Sequence, residues 1–558
     1  MLYPEDIQGT EVCFLLTVEW MGMAYRFSTI PIDIQDLSTN QIHRYNGGLS
    51  DPSIQQETSF VGLSVDGQGV SIEVIFEGLD WVAEWLAGRT LANSKCELSM
   101  IGIKDGKTSY TEQDKEFLWA GRVVQPIIGS PDKPIGHVVF SIENNLNVTK
   151  VKLLDQSFKI DVYKFPNLDG LVDYPVGKMA PLCFGVSGLY PVRTLTGIEF
   201  KDKAHVSPAY TINTIGSGAS IRIQYIIAMG RVAAGQARIY DQTGGNFRNP
   251  VLVAKNDDGV IYSYVEYQLG TVKEDNAFIP ALDNDQTFFT SWGEFEGGLI
   301  SPIDGQMMTG GLDLCMYVLD KVGLEYNQAK WQGLKTILNQ YKFAGYVNDE
   351  NVLAWDWLKE NIIAYLPIEV INGEDGLEPV LNLYFQDDKV HPRFHILESG
   401  NFQIITGIQP LDQEIINKVV VSFGYEGEFD SYVASLSIDP TLTVENNLNT
   451  KDPVSSISYS RYGLHETVLE LPFVWDLYTA HRIARDKIRI QGLGAHAIEI
   501  QAHPAYGYIQ IGDIISFTSE KFGFNGHKCQ VISKSWRGNS WNFVLHLESN
   551  TLVNPRVV

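Results

Sequence analysis

Cysteine is scarce: Cys13, Cys96, Cys183, Cys315 and Cys529 are all that 558 residues contain. So few, so widely dispersed, exclude a disulfide framework. No two of them stand as C-x-x-C, which also excludes a zinc ribbon and a thioredoxin-type motif. Long apolar runs are missing as well. The run from Cys13 to Val18 is closed by Glu19, and no stretch approaches the roughly 18 apolar residues of a membrane span. Positive charge is in deficit, Lys+Arg 42 against Asp+Glu 67, a net −25. Such a surface repels polyanions, and tight binding of free nucleic acid draws most of its affinity from neutralised phosphates. The start, Met1-Leu2-Tyr3-Pro4-Glu5-Asp6, is acidic where a secretory signal is basic. A product made in a cytoplasm, and soluble or assembled there, is expected. Asn147-Val148-Thr149 fits a glycosylation sequon but without a secretory route reads as chance.

Catalytic signatures are absent too: there is no H-E-x-x-H, P-loop, G-x-S-x-G elbow or kinase set. Other constellations have bland explanations. His391 and His395 have a metal-ligand spacing for a helix, but Pro392 lies between them and their neighbours read as strand. Gly492-Leu493-Gly494-Ala495-His496-Ala497 looks like a dinucleotide fingerprint that follows a helix, the wrong context, so a helix cap and turn is expected. Glu294 with Glu296, or Asp257 with Asp258, could be offered as acid and base for glycan cleavage. With 67 acidic residues such pairs arise by chance. Asp283-Asn284-Asp285 lacks the Gly and bidentate Glu of an EF-hand. Arg482, Arg485, Lys487 and Arg489 could face phosphates, and more simply form a solvated or ion-paired helix face. No residue is assigned as catalytic, cofactor-binding or metal-ligating. No cofactor is expected, and neither is enzyme activity.

What is present is ordinary material for packed domains, 44% hydrophobic and 20% charged. The length gives a prior of about three to four domains. In the first 150 residues Val70, Ile72, Val74 and Phe76 alternate as a strand with one buried face. A short helix is expected over Trp81, Val82, Trp85 and Leu86, capped by Gly88. Strands follow around Phe117 to Val124 and His137 to Ile142, so an antiparallel barrel or sandwich is expected. From Pro166 to Pro208 prolines and glycines suggest an extended connector. Strands resume at Ile221 to Tyr225, Ala237 to Tyr240 and Val260 to Leu269, and a loop at 297–311 marks a boundary.

Three helical stripes come next: Leu312, Cys315, Leu319, Val322; Trp331, Leu334, Leu338, Tyr341; and Trp355, Leu358, Ile362, Tyr365, stopped by Pro367. Leu477, Ala480, Ala484 and Ile488 give a further helix whose C-terminal cations suit its dipole. Strands at Ile498 to Ile500 and Tyr508 to Phe517 follow. A hairpin, Cys529 to Trp536 and Trp541 to Leu547, closes the chain around Gly538-Asn539.

Four stretches, in this order, resemble the tail hub and tail-tip (baseplate hub) proteins of long-tailed bacteriophages. Glu116-Phe117-Leu118-Trp119-Ala120-Gly121-Arg122-Val123 is similar to the "F-x-G-x-V" strand of their first tube-like domain. Tyr174 to Gly185, with Tyr190-Pro191-Val192, resembles their "G-K-x-x-P-x-x-F/Y-G" segment. Trp355-Asp356-Trp357-Leu358 with Leu366-Pro367-Ile368 resembles a helix-to-strand step of the middle domain. Ser458 to Glu466, the helix at 475–490, Gly512-Asp513-Ile514-Ile515 and the final hairpin resemble their "R-Y-G-x-R/H-E … A … G-D-x-V" ending.

The resemblance implies a mainly β, multi-domain chain of tube-like antiparallel β-barrel or sandwich domains with a small α/β insert. Its divisions would be 1–150 (tube-like), 151–310 (β-rich), 311–410 (α/β) and 411–558 (second tube-like). It implies a virion protein at the tail tip, assembled in the host cytoplasm as a homotrimer whose doubled domains match a hexameric tube ring. Its partners would be the tail tube or distal tail ring, the tape measure protein and other baseplate or fibre proteins. DNA would pass without specific binding, which an acidic wall favours. A tail-tip receptor-binding protein and a cell-wall-degrading tail enzyme are the competing readings.

Overall fold

The computed structural model describes residues 11–57, 69–75, 83–84, 87–103, 107, 109–130, 133–143, 151–165, 176–185, 189–194, 197–202, 205–215, 222–229, 237–240, 251–257, 260–268, 292–295, 308, 310–373, 376–385, 394–397, 402–411, 414–426, 430–537 and 539–547. The architecture is mainly β, with several antiparallel sheets and a few helices.

Ten strands come first: β1 (Glu11–Trp20), β2 (Met23–Ser28), β3 (Ile32–Asp36), β4 (Gln41–Tyr45), β5 (Ser53–Glu57), β6 (Gly69–Ile75), β7 (Lys95–Ile103), β8 (Tyr110–Thr111), β9 (Glu116–Ser130) and β10 (Lys133–Glu143). β1 turns into β2 through Met21 and Gly22, both at positive φ, a two-residue turn whose twist matches the strands. The alternation of β6 does what its sequence expects. Val70, Ile72 and Val74 stand opposite Ile142, Phe140 and Val138 of β10, and all are buried. Each such side chain contributes about 1.5–3 kcal/mol of transfer free energy. Residues 83–84 are helical and Gly88 is left-handed; Trp81, Val82, Trp85 and Leu86 of the expected helix lie outside the described residues.

Later strands of the large sheet are β11 (Phe402–Ile404), β15 (His496–Ala502), β16 (Ile514–Ser519), β17 (Phe524–Arg537) and β18 (Ser540–Leu547). A separate sheet holds β12 (Lys418–Glu426), β13 (Ser431–Ile438) and β14 (Glu466–Leu471), with Asn449–Thr450 at its far side. Both ends of the chain build one sheet of 14 strands, whose path runs β2-β1-β7-β9-β10-β6-β5-β17-β18-β15-β11. Among the described residues the path is open, with no closed barrel. One hydrophobic core serves both ends, joining Phe14, Ile72 and Trp119 to Ile498, Trp541 and Leu545.

A second core gathers the middle of the chain together with Ile416 to Ile488, so the span 411–558 is shared between two cores. Helix α1 (Gly311–Val322) ends as its sequence says, with Gly323 at φ 71. The second stripe is not one helix. It breaks at Leu334 (φ −94, ψ 5) into α2 (Gln328–Gly333) and α3 (Lys335–Leu338), next to Gly333, a poor helix former. The third stripe stops early. α4 (Ala354–Asn361) ends at Ile362, and Ile363–Tyr365 is a 3-10 turn, because Leu366 before Pro367 must be extended.

The segment 166–208 is not a bare connector where it is described. It carries strands at Leu182–Phe184, Leu189–Thr194, Gly197–Asp202 and His205–Pro208. Pro191 sits in one that, among the described residues, pairs on a single side, the position a proline tolerates. Helices α5 (Pro453–Tyr462) and α6 (Leu477–Gln491) flank β14 in sequence. Among the described residues no helix is long and apolar enough to cross a membrane.

Candidate assembly surfaces

The joint between the two ends holds a buried polar site of the large sheet. β5 pairs β17 antiparallel, with Gln55, Gln56 and Glu57 opposite Ser535, Lys534 and Ser533. Lys534 is fully buried. Its Nζ donates to the Gly507 carbonyl at 2.5 Å and lies 4.7 Å from the centre of the Trp541 ring. Burial pushes its ammonium down to about 7, with Asp513 and Glu116 acting in opposition. Beside it Trp536 meets Phe14 edge-on, 5.1 Å between ring centres. The Trp541 indole donates to the Pro504 carbonyl at 2.9 Å. Gly507 leaves room for its neighbours: a Cβ there would stand 2.4 Å from Met100 Sδ and 2.8 Å from Trp541 Nε1, so both side chains would have to shift.

Part of the basic run of α6 is drawn into the protein's own contacts, while Arg485 is exposed. Asp476 caps the helix by accepting from Thr479 N at 2.9 Å. Arg482 lies over Tyr341 at 5.5 Å and Arg489 over Phe385 at 5.1 Å. Between them Asp486 accepts from Tyr341 Oη at 2.5 Å. Burial raises that carboxyl to about 6, against the Tyr341 hydrogen bond and the neighbouring arginines, and burial lowers the Lys487 ammonium. A cavity of about 90 Å³, lined among others by Pro367, Leu469, Asp486 and Gln491, opens beside them. That is well below the roughly 300 Å³ at which small-molecule sites begin.

The remaining sequence candidates do not converge. His395 is exposed in the strand Phe394–Leu397; His391 lies outside the described residues. Asp257 and Glu294 end or occupy strands in different sheets, while Asp258, Glu296 and Asp283 to Asp285 lie outside. Gly492 N donates to Ile488 O at 2.7 Å, Gly494 has φ 72, and β15 begins at His496, so this glycine run is a helix cap and turn. Among the described residues no group of three His, Cys, Asp or Glu could hold a metal ion. All five cysteines are buried and none is in a disulfide.

Sequence reasoning missed α5, because its inward side chains are serines. One signal was there: Asp452-Pro453, a capping carboxylate followed by a proline suited to the first helical position. The stretch Ser458–Glu466 covers the end of this helix and the start of β14. Glu116–Val123 lies in β9, and Trp355–Leu358 in α4.

No family model matches the sequence, and no curated protein matches it. Among solved structures, the chain is similar to one in the virion of a native gene transfer agent particle. The identity is 9%, the match covers 67% of this chain and 90% of that one, and the TM-score is 0.32. A likeness so slight carries neither fold nor role.

Proposed function

We propose that the chain is a structural hub at the distal end of a bacteriophage tail. It forms a homotrimeric ring that joins the tail tube, or a distal tail ring, to the tip, beside the tape measure protein and other baseplate or fibre proteins. DNA passes through it without being held, and the protein works by assembly rather than catalysis. One observation carries the reading: strands from both ends lie in a single sheet around one core, so each subunit brings an N-terminal and a C-terminal half-sheet side by side. Three subunits then offer six, the number a hexameric tube ring needs. An open sheet leaves strand edges that must be covered, and closing a ring covers them. A net charge of −25 suits a wall along which DNA slides.

The test is the solution mass by light scattering, with negative-stain images of the same sample. A mass near three times 62.4 kDa and rings with an open centre are expected. A monomer at every concentration, without rings, overturns the proposal. Clearing of a peptidoglycan suspension by the pure protein would overturn the non-catalytic part alone.

A further inference from the structure

Helix α6 carries a second stripe beside its core face. Ile483, Asp486, Lys487, Ile490 and Gln491 recur at helical spacing and line the cavity of about 90 Å³. Gln491 is only 4% exposed, and its Oε1 is buried with no hydrogen-bond partner among the described residues. A buried acceptor left in that state costs free energy that an occupant of the cavity would recover. Asp486 commits one carboxylate oxygen to Tyr341 Oη at 2.5 Å, and the other has no hydrogen bond among the described residues. Arg482, Arg489 and Arg485 act on this carboxylate without closing an ion pair. Lys487 makes neither a hydrogen bond nor an ion pair among the described residues, and Glu414 attracts it from a distance. Glu369, which also lines the cavity, is already engaged.

Size and charge together define what fits. A cavity of about 150 Å³ takes the six carbons of benzene, so this one takes about four heavy atoms, a single functional group on a short stem. A cation would meet Lys487 and the three arginines, and an anion would meet Asp486 and Glu369. A neutral group escapes both, provided that it donates to Gln491 Oε1 and Asp486 and accepts from Lys487. A primary carboxamide has both functions on three atoms.

We propose that this cavity binds a primary carboxamide, from a free small amide or from an Asn or Gln side chain of another protein. The proposal does not depend on the ring reading.

The experiment is saturation-transfer NMR on the full chain with three isosteres of different charge: acetamide, acetate and acetamidinium. Acetamide should saturate in the roughly millimolar range open to a ligand of so few atoms. The two charged isosteres should bind at least about tenfold more weakly. Gln491→Met keeps the bulk, removes the amide and should weaken acetamide about tenfold. Lys487→Met should weaken it too, and decides the matter if circular dichroism shows that the first variant does not fold. The peptide Gly-Gly-Gln-Gly-Gly separates the two sources: binding as tight as that of acetamide assigns the site to a side chain, and weaker binding to a free amide. A charged isostere that binds as tightly as acetamide overturns the proposal. So does acetamide binding that is unchanged in the folded variants, or the absence of saturable binding, which leaves the cavity to water.

Discussion

Gln510 donates from its side-chain amide to the carbonyl oxygen of Phe117, 2.8 Å away and 393 residues earlier in the chain. The same side chain accepts from Lys534 Nζ at 3.4 Å. The N-terminal strands and the closing hairpin therefore share polar as well as apolar contacts, and they should unfold together.

Trp541→Ala tests that cooperation. Removing a fully buried tryptophan should cost about 3–5 kcal/mol in denaturant titrations. Amide exchange should then accelerate in β1, β6 and β10 as well as in β17 and β18. Acceleration confined to the C-terminal strands would mean that the two ends are separate units.

Lys534 gives the joint a dependence on alkaline pH. Its folded pKa is held near 7 by burial, against 10.5 when exposed. Below about 7 both states carry the charge, and the folded one bears the full cost of burying it. As pH rises from 7 toward 10.5 that cost is relieved and stability increases. Melting temperatures of the wild type should rise across this window, and those of Lys534→Met should stay nearly flat.

His546 acts at the acidic end. It is fully buried, packed edge-on against Tyr384 at 5.5 Å. Burial, and then the charge of His496, push its imidazole down to about 3. The unfolded chain takes up a proton near 6.5 while the folded one refuses it until about 3, so stability falls as pH drops through this range. Denaturant midpoints between pH 7 and pH 4 should fall less for His546→Phe than for wild type.

Asp452→Ala removes the side chain that caps α5 at Val454 and Ser455. The loss should be about 1 kcal/mol, read as a lower midpoint and faster exchange in 454–458. An unchanged midpoint would mean that Asn417 alone holds the helix.

How much of this was legible depends on the range of the signal. Local periodicity gave β6, α1 and α6, since Val70, Ile72 and Val74, or Leu477, Ala480 and Ile488, meet a core whatever lies on its other side. Pro367 marked an end, but nothing in the stripe through Ile362 told where α4 stops. A helix with serines inward has no apolar period, so α5 was visible only through its cap. The pairing of Gln56 with Lys534 leaves no trace in either segment, because a strand's pattern encodes which face is buried and not which edge is joined. The same holds for Arg482 and Arg489, whose aromatic partners Tyr341 and Phe385 come from another part of the chain.

The weave of the large sheet also sets an order of events during synthesis. The ribosome delivers β5 hundreds of residues before β17, so the inner edge of the N-terminal sheet stays bare until almost all of the described chain has emerged. A nascent or truncated chain lacks the strand that completes that edge. Only a chain translated through β17 can finish the sheet, which makes synthesis of that strand a checkpoint on the fold.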